Sequence, residues 1–158
     1  MGCLSITFDD AALKAQLAEL KGDISDALRP AAQAGSQVLY DEVQRNVAKI
    51  GKKTGNLSRS IYQAYSKDNS TEGRVHRYHI SWNAVKAPHG HLIEFGHVQT
   101  HMTVIDKRTG KWVTLKSKPL PAPKVVGAHP FLRPAMAKYQ AALDACEAEF
   151  FKRLKNFK

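Results

Sequence analysis

The sequence predicts an α+β fold: N-terminal helices, a central antiparallel sheet with a long hairpin or loop arm, and a C-terminal helix packed on the sheet. Three observations predict it. Apolar residues recur at helical spacing in the first third of the chain and again in the last segment. Strand-type alternation is confined to the middle. Four of the seven prolines fall between Lys116 and Pro130, separating the strands from the last helix. At 158 residues the chain is read as a single domain, with 1–50 helical, 54–115 antiparallel strands and hairpin, 116–130 a Pro-rich loop and 131–157 a helix.

Asp9 or Asp10 caps the first helix, and Leu13, Leu17 and Leu20 follow on one side. Gly22 is expected to interrupt it, with a second start at Asp23 or Ser25. From there Ile24, Leu28, Ala31, Gly35, Val38, Leu39, Val43 and Val47 trace one apolar stripe. Pro30 falls in the first turns, where a missing N–H costs least. Small residues from Ala31 to Ser36 leave room for a second backbone, and Gly51 supplies the stop.

Leu57–Ser66 is expected to be a strand, and Arg74–Asn83 its antiparallel partner across the polar turn Asp68–Gly73. Tyr78, Ile80 and Trp82 alternate with His79 and Ser81. A short helix is placed around Leu92–Phe95. A hairpin spans Val98–Leu115, turning at Asp106–Lys111 with Gly110 as its turn residue. The prolines then predict an extended loop to Pro130. The last helix shows its apolar side at Met136, Tyr139, Leu143, Cys146, Phe150 and Leu154.

The net charge of +10 is unevenly distributed. Residues 1–48 hold four Lys/Arg against seven Asp/Glu, whereas residues 49–134 hold fifteen against four. A basic middle points to a polyanionic neighbour, either nucleic acid or an acidic protein face. No apolar run approaches the roughly 20 residues needed to cross a bilayer, so no membrane partner is expected. The N-terminus lacks the pattern of a signal peptide, so the cytoplasm of the cell that makes the protein is the expected compartment. Cys3 and Cys146, at opposite ends, read as two free thiols.

Catalytic chemistry finds little support. His89, His91, His97 and His101 lie close together with Glu94 among them, but their spacing fits no zinc motif. Ser58, Ser60 and Ser81 lack the G-x-S-x-G context of a nucleophile. Gly51–Gly55 lacks the spacing of a phosphate loop and follows a helix instead of opening one. No catalytic residue, metal or cofactor is therefore assigned.

Three blocks stand out: Thr54-Gly55-Asn56-Leu57-Ser58-Arg59-Ser60-Ile61, His91-Leu92-Ile93-Glu94-Phe95-Gly96, and His129-Pro130-Phe131-Leu132-Arg133-Pro134-Ala135. In this order and at these separations they resemble the tail-completion or head–tail joining (neck) family of long-tailed bacteriophages, of the siphophage, minor-tail-protein-Z-like type. Thr54, Gly55, Leu57, Arg59, Ser60 and Ile61 match its first segment, Glu94, Phe95 and Gly96 its second, and Pro130, Phe131, Leu132, Arg133 and Pro134, with Ala135, its third. The chain departs from the pattern at His97, where Thr is usual, at His91, often an aromatic, and in the long insert Val98–Ala128.

The resemblance implies a structural virion-assembly protein acting at the head–tail junction or head-proximal tail. It implies a homo-oligomeric ring, other neck and tail proteins as partners, and packaged DNA nearby. Lys52, Lys53, Arg59, Lys107, Arg108 and Lys111 are the residues expected to face DNA or an acidic partner. Glu94, set between Ile93 and Phe95, is expected to be partly buried and to pair with Arg59 or Arg133, locking the blocks together. Two other readings stay open on the residues alone: a basic nucleic-acid-binding module, and a metal-dependent hydrolase built on the His cluster.

Overall fold

The computed structural model describes residues 11–51, 55–110 and 112–154. Cys3, the Asp9/Asp10 cap, Lys52, Lys53, Thr54 and Lys111 lie outside the described residues, as does the expected helix end beyond residue 154.

The fold is mixed helix and sheet, as expected, with two small antiparallel sheets between a long N-terminal and a shorter C-terminal helix. In order the elements are α1 (Ala11–Ile50), α2 (Asn56–Ser60), β1 (Ile61–Tyr65), β2 (Tyr78–Trp82), α3 (Gly90–Phe95), β3 (His97–Ile105), β4 (Trp112–Val126), a 3₁₀ helix (Arg133–Lys138) and α4 (Tyr139–Leu154). They fall into two compact units. The first lies within Met1–Asp41, Gln63–Ile80 and Ala137–Lys158, and the second within Glu42–Tyr62 and Ser81–Met136.

Four expectations need correction. The break at Gly22 is absent: α1 is one continuous helix that also contains Pro30. A single glycine costs a helix only about 1 kcal/mol, which forty residues of helix absorb. The first strand is shorter than expected, because Asn56–Ser60 forms α2 before β1 begins. The stretch expected as a loop from Lys116 is strand as far as Val126. The last helix opens as a 3₁₀ turn and becomes α-helical only at Tyr139.

The third correction has a clear physical reason. Pairing of β3 with β4 sets Gln99 opposite Lys124, His101 opposite Pro119 and Thr103 opposite Thr114. β3 thus advances two residues at each step while β4 advances five. The surplus residues lie in two irregular stretches of β4, and Pro121 and Pro123 fall in one of them. A proline lacks the N–H that a regular ladder demands, but a bulge tolerates it. At the far end Thr109 Oγ1 and the Arg108 N–H donate to the Asp106 carboxylate, which they hold below its usual range, and Gly110 (φ 65°) closes the turn.

In the first unit the core is made of small residues. Ala27, Ala31 and Ala142 are buried. A Cβ on Gly35 would meet Cys146 Sγ and would lie 2.7 Å from the Ala142 carbonyl oxygen. The small-residue stretch of α1 is therefore where α4 comes close. Of the side chains first marked as the apolar face of this segment, Cys146 takes part in this contact and is half-buried, whereas Met136, Tyr139 and Leu143 are exposed. Gln63 reaches the Ser36 hydroxyl and the Gln33 carbonyl, and the Arg29 guanidinium lies 4.4 Å from the Tyr65 ring centre.

In the second unit the core is larger-grained. Val43, Val47, Leu57, Ile61 and Phe131 are buried, with Asn46, Ser60 and Glu94 as its buried polar members. This is where the sequence blocks meet.

Candidate functional site

The site is assembled around one carboxylate. α3 is only six residues long, so it buries few side chains, and Glu94 is one of them. The residue is 1% exposed. An isolated buried carboxylate is strongly unfavourable, so its partners decide whether the arrangement can exist.

Those partners come from the His129–Ala135 block. The N–H groups of Phe131 and Leu132 donate to Glu94 Oε2 at 2.7 and 3.1 Å. The N–H and Nε of Arg133 donate to Oε1, both at 3.2 Å. Arg133 Nη2 also reaches the Glu94 carbonyl oxygen at 2.8 Å. Of the two arginines expected for Glu94, Arg133 is therefore the one in place. Burial pushes the Glu94 carboxyl up, but the three backbone N–H groups and the Arg133 guanidinium together hold it below its ordinary value.

The block's composition now has a physical account. A helix start leaves N–H groups without intrahelical acceptors. Here Phe131, Leu132 and Arg133 give theirs to Glu94, Pro134 has none, and Ala135 N–H finds the Leu132 carbonyl at 3.1 Å. Glu94 is in effect a cap supplied from a distant part of the chain. A second strut joins the same segments, with His129 N–H donating to Ile93 O at 2.8 Å.

Phe131 is fully buried. Its ring meets Trp82 edge-on, with centroids 5.7 Å apart, and Asn46 Nδ2 donates to its carbonyl at 3.2 Å. Burying a phenylalanine side chain stabilises by about 2–3 kcal/mol. The indole of Trp82 also lies directly over Gly90, where any Cβ would collide with the ring.

The first block reaches the same unit by its own contacts. Gly55 (φ 71°) precedes α2, and Arg59 N–H donates to its carbonyl. Leu57, Ser60 and Ile61 are buried. Ser60 Oγ donates to Leu57 O, and the Ser60 carbonyl accepts from Asn83 N–H. Ser58 and Gln44 exchange two bonds. Arg59 donates to Asn56 Oδ1. A groove of 460 Å³ is lined by residues of this block, including Gly55 and Leu57, together with Val47, His89 and Ile93.

Gly96 turns the chain from α3 into β3 with φ 72° and ψ 173°, a region closed to L side chains. A Cβ there would also lie 2.8 Å from the Val126 carbonyl. Beside it, Phe95 is 65% exposed, with the Arg133 guanidinium 5.1 Å from its ring centre. Pro130 is half-buried and Pro134 exposed. Lys107 and Arg108 are exposed at the hairpin turn, away from this cluster in sequence and in element.

Sequence reasoning missed Asn46, Gly90 and the role of Trp82. Asn46 had a signal: a polar residue beside Val43 and Val47 on the buried side of a helix. The histidines do not converge. His89 lines the groove, His91 is exposed on α3, and His97 and His101 lie along β3. Among the described residues no group of three or more His, Cys, Asp or Glu could hold a metal ion. Among them too, no helix is long and apolar enough to cross a membrane.

Glu94, Arg133 and Phe131 fasten three separated segments together, and all of them are engaged in that. What these residues do in the second unit is hold its frame. Residues 11–96, more than half of the chain, match the family described as "Bacteriophage HK97-gp10, putative tail-component". The chain belongs to this family and is a tail-related structural protein of bacteriophages, a component of the virion that works among other tail proteins. No curated protein and no solved structure matches it.

Proposed function

We propose that this protein acts at the head-proximal end of a long-tailed phage's tail, joining head to tail or completing the tail, and that it does so by assembly as a homo-oligomeric ring and not by catalysis. The observation that carries the reading is the coincidence of the family match with the Glu94 junction. The match ends at Gly96, two residues after Glu94, and Glu94 fastens the His129–Ala135 block to the matched part. The residues that resemble a neck protein are spent on holding a rigid frame, which is what a ring subunit requires.

In this reading the exposed Lys107 and Arg108 at the hairpin turn face packaged DNA or an acidic neighbour. Lys52, Lys53 and Lys111 are assigned the same role from the sequence alone.

The test is genetic and biochemical. A phage lacking this chain should accumulate DNA-filled heads and separate tails, and purified protein added to that lysate should restore infectious particles. Normal joined particles without the chain, or no restoration by folded protein, would remove the reading.

A further inference from the structure

Two parts of this chain each keep three or more large apolar side chains in solvent. The first is the β3–β4 ribbon. β3 advances by two residues at each irregular step of the ladder, so Val98, Thr100, Met102 and Val104 share a face. The register sets Val125 opposite Val98 and Val113 opposite Val104, on that same face. None of the six is charged. Val98, Met102, Val113 and Val125 are 43–77% exposed. A two-stranded ribbon is marginal by itself in water, and contiguous apolar patches of several hundred Å² mark interaction surfaces. Lys116 and Lys118, in the irregular stretch of β4 between Thr114 and Pro119, are exposed and without an ion pair among the described residues.

The second element is α4. Tyr139, Leu143, Glu147 and Phe151 follow at four-residue steps and so lie along one face. Tyr139 and Phe151 are more than half exposed. Asp144 and Glu147 are exposed as well, and the bases near the helix end, Lys152 and Arg153, are engaged with Glu149. The outer side of α4 therefore carries Tyr139, Leu143 and Phe151 with Glu147 among them and Asp144 beside them, the charge complement of Lys116 and Lys118. The lengths agree: nine strand residues span about 30 Å and sixteen helical residues about 24 Å.

We infer that the apolar face of β3–β4 in one copy docks on the outer face of α4 in a second copy, with the ribbon lysines set against Asp144 and Glu147. The inference rests on the assembly reading above and names the surfaces that carry it. The contact is heterologous, joining unlike patches, which is the kind that closes into rings. Charge complementarity selects the second copy. DNA is a poorer fit, because the middle of the face is formed by Val98, Met102, Val113 and Val125, where a phosphate backbone would need cations.

The experiment uses the full chain, with sedimentation velocity reading self-association and circular dichroism reading folding. Met102→Glu/Val113→Glu on the ribbon and Leu143→Glu/Phe151→Glu on α4 should each weaken self-association at least about tenfold. Mixed together, the two variants should form a one-to-one dimer and nothing larger, since one intact interface remains between them. Lys116→Glu/Lys118→Glu and Asp144→Lys/Glu147→Lys should each weaken association, and the four changes in one chain should restore it. That restoration keeps the test decisive should a glutamate variant misfold. Wild-type assembly that persists unchanged in all of these variants overturns the inference and leaves the ring reading standing. So does loss of binding to purified tails with self-association intact, which would give the ribbon face to another tail protein. Wild-type protein that stays monomeric to about 1 mM overturns both.

Discussion

Glu94 Oε2 accepts the N–H of Phe131 at 2.7 Å, and both residues are completely withdrawn from solvent. The bond ties a six-residue helix to the start of the C-terminal segment across 37 positions of sequence. It makes the carboxylate and the aromatic anchor parts of one joint. Phe131 stays in its pocket because Glu94 holds its backbone, and Glu94 stays ionised because three N–H groups and a guanidinium face it.

Glu94→Gln tests the joint. An amide keeps one acceptor oxygen but turns an NH₂ toward groups that are themselves donors. Buried donors left without an acceptor, with the charge-assisted bonds lost, should cost about 2–4 kcal/mol. For a chain of this size that lowers the melting temperature by roughly 5–15 °C, measurable by scanning calorimetry. Arg133→Ala should cost less, about 1 kcal/mol, because the arginine side chain is largely exposed and the backbone bonds survive. Equal losses for the two variants would mean that the guanidinium, and not the backbone, holds Glu94.

Acid should loosen the same joint. An unfolded glutamate titrates near 4.5, and the folded carboxyl lies below that. The folded state then binds fewer protons than the unfolded one in this window, so stability rises with pH. Glu94's contribution is complete above about pH 5 and is lost as pH falls from 4.5 through the folded value. Urea titrations from pH 7 to pH 3 should show wild type and Glu94→Gln converging at the acid end. A constant difference between them across that range would rule out Glu94 as the titrating group.

Parts of this arrangement are legible in the sequence. A glutamate set between Ile93 and Phe95 must be either exposed or paired, and the Pro-Phe-Leu-Arg-Pro run offers both a helix start and an arginine. The long ribbon is less legible. Pro119, Pro121 and Pro123 contradict a regular strand, and only the register with β3 reveals the irregular stretches that accommodate them. α2 is too short to display a helical period. The face of α4 misleads for another reason: Tyr139, Leu143 and Phe151 are exposed, while Ala142 and Cys146 meet α1 at Gly35. Apolar periodicity marks what a helix wishes to cover, and it does not distinguish its own core from a partner.

Gly35→Ala should be destabilising, against the ordinary preference of helices. In a solvent-exposed helix the change gains about 1 kcal/mol. Here the new methyl meets Cys146 Sγ and lies 2.7 Å from the Ala142 carbonyl oxygen, which is backbone and cannot rotate away. The helices must separate, at a net cost of roughly 1–3 kcal/mol. Cys146 would then be more open to thiol reagents, so faster labelling and a lower urea midpoint should appear together. Unchanged labelling with raised stability would show that α1 and α4 are not in close contact at Gly35.

We expect the two compact units to unfold as one domain. α1 runs without interruption from residues of the first unit into residues of the second, and the β1–β2 pair does the same. Opening either unit alone would require breaking a continuous helix near Asp41 and a strand pair near Tyr62. Small cores that share their elements in this way gain little from unfolding separately, so the transition should be all-or-none. Both tryptophans, Trp82 and Trp112, lie in the second unit, whereas α4 and most of α1 lie in the first. Tryptophan fluorescence therefore reports one unit, and circular dichroism at helical wavelengths is weighted toward the other. The two urea curves should coincide in midpoint and slope. Separated midpoints would show two independently folding domains sharing a helix.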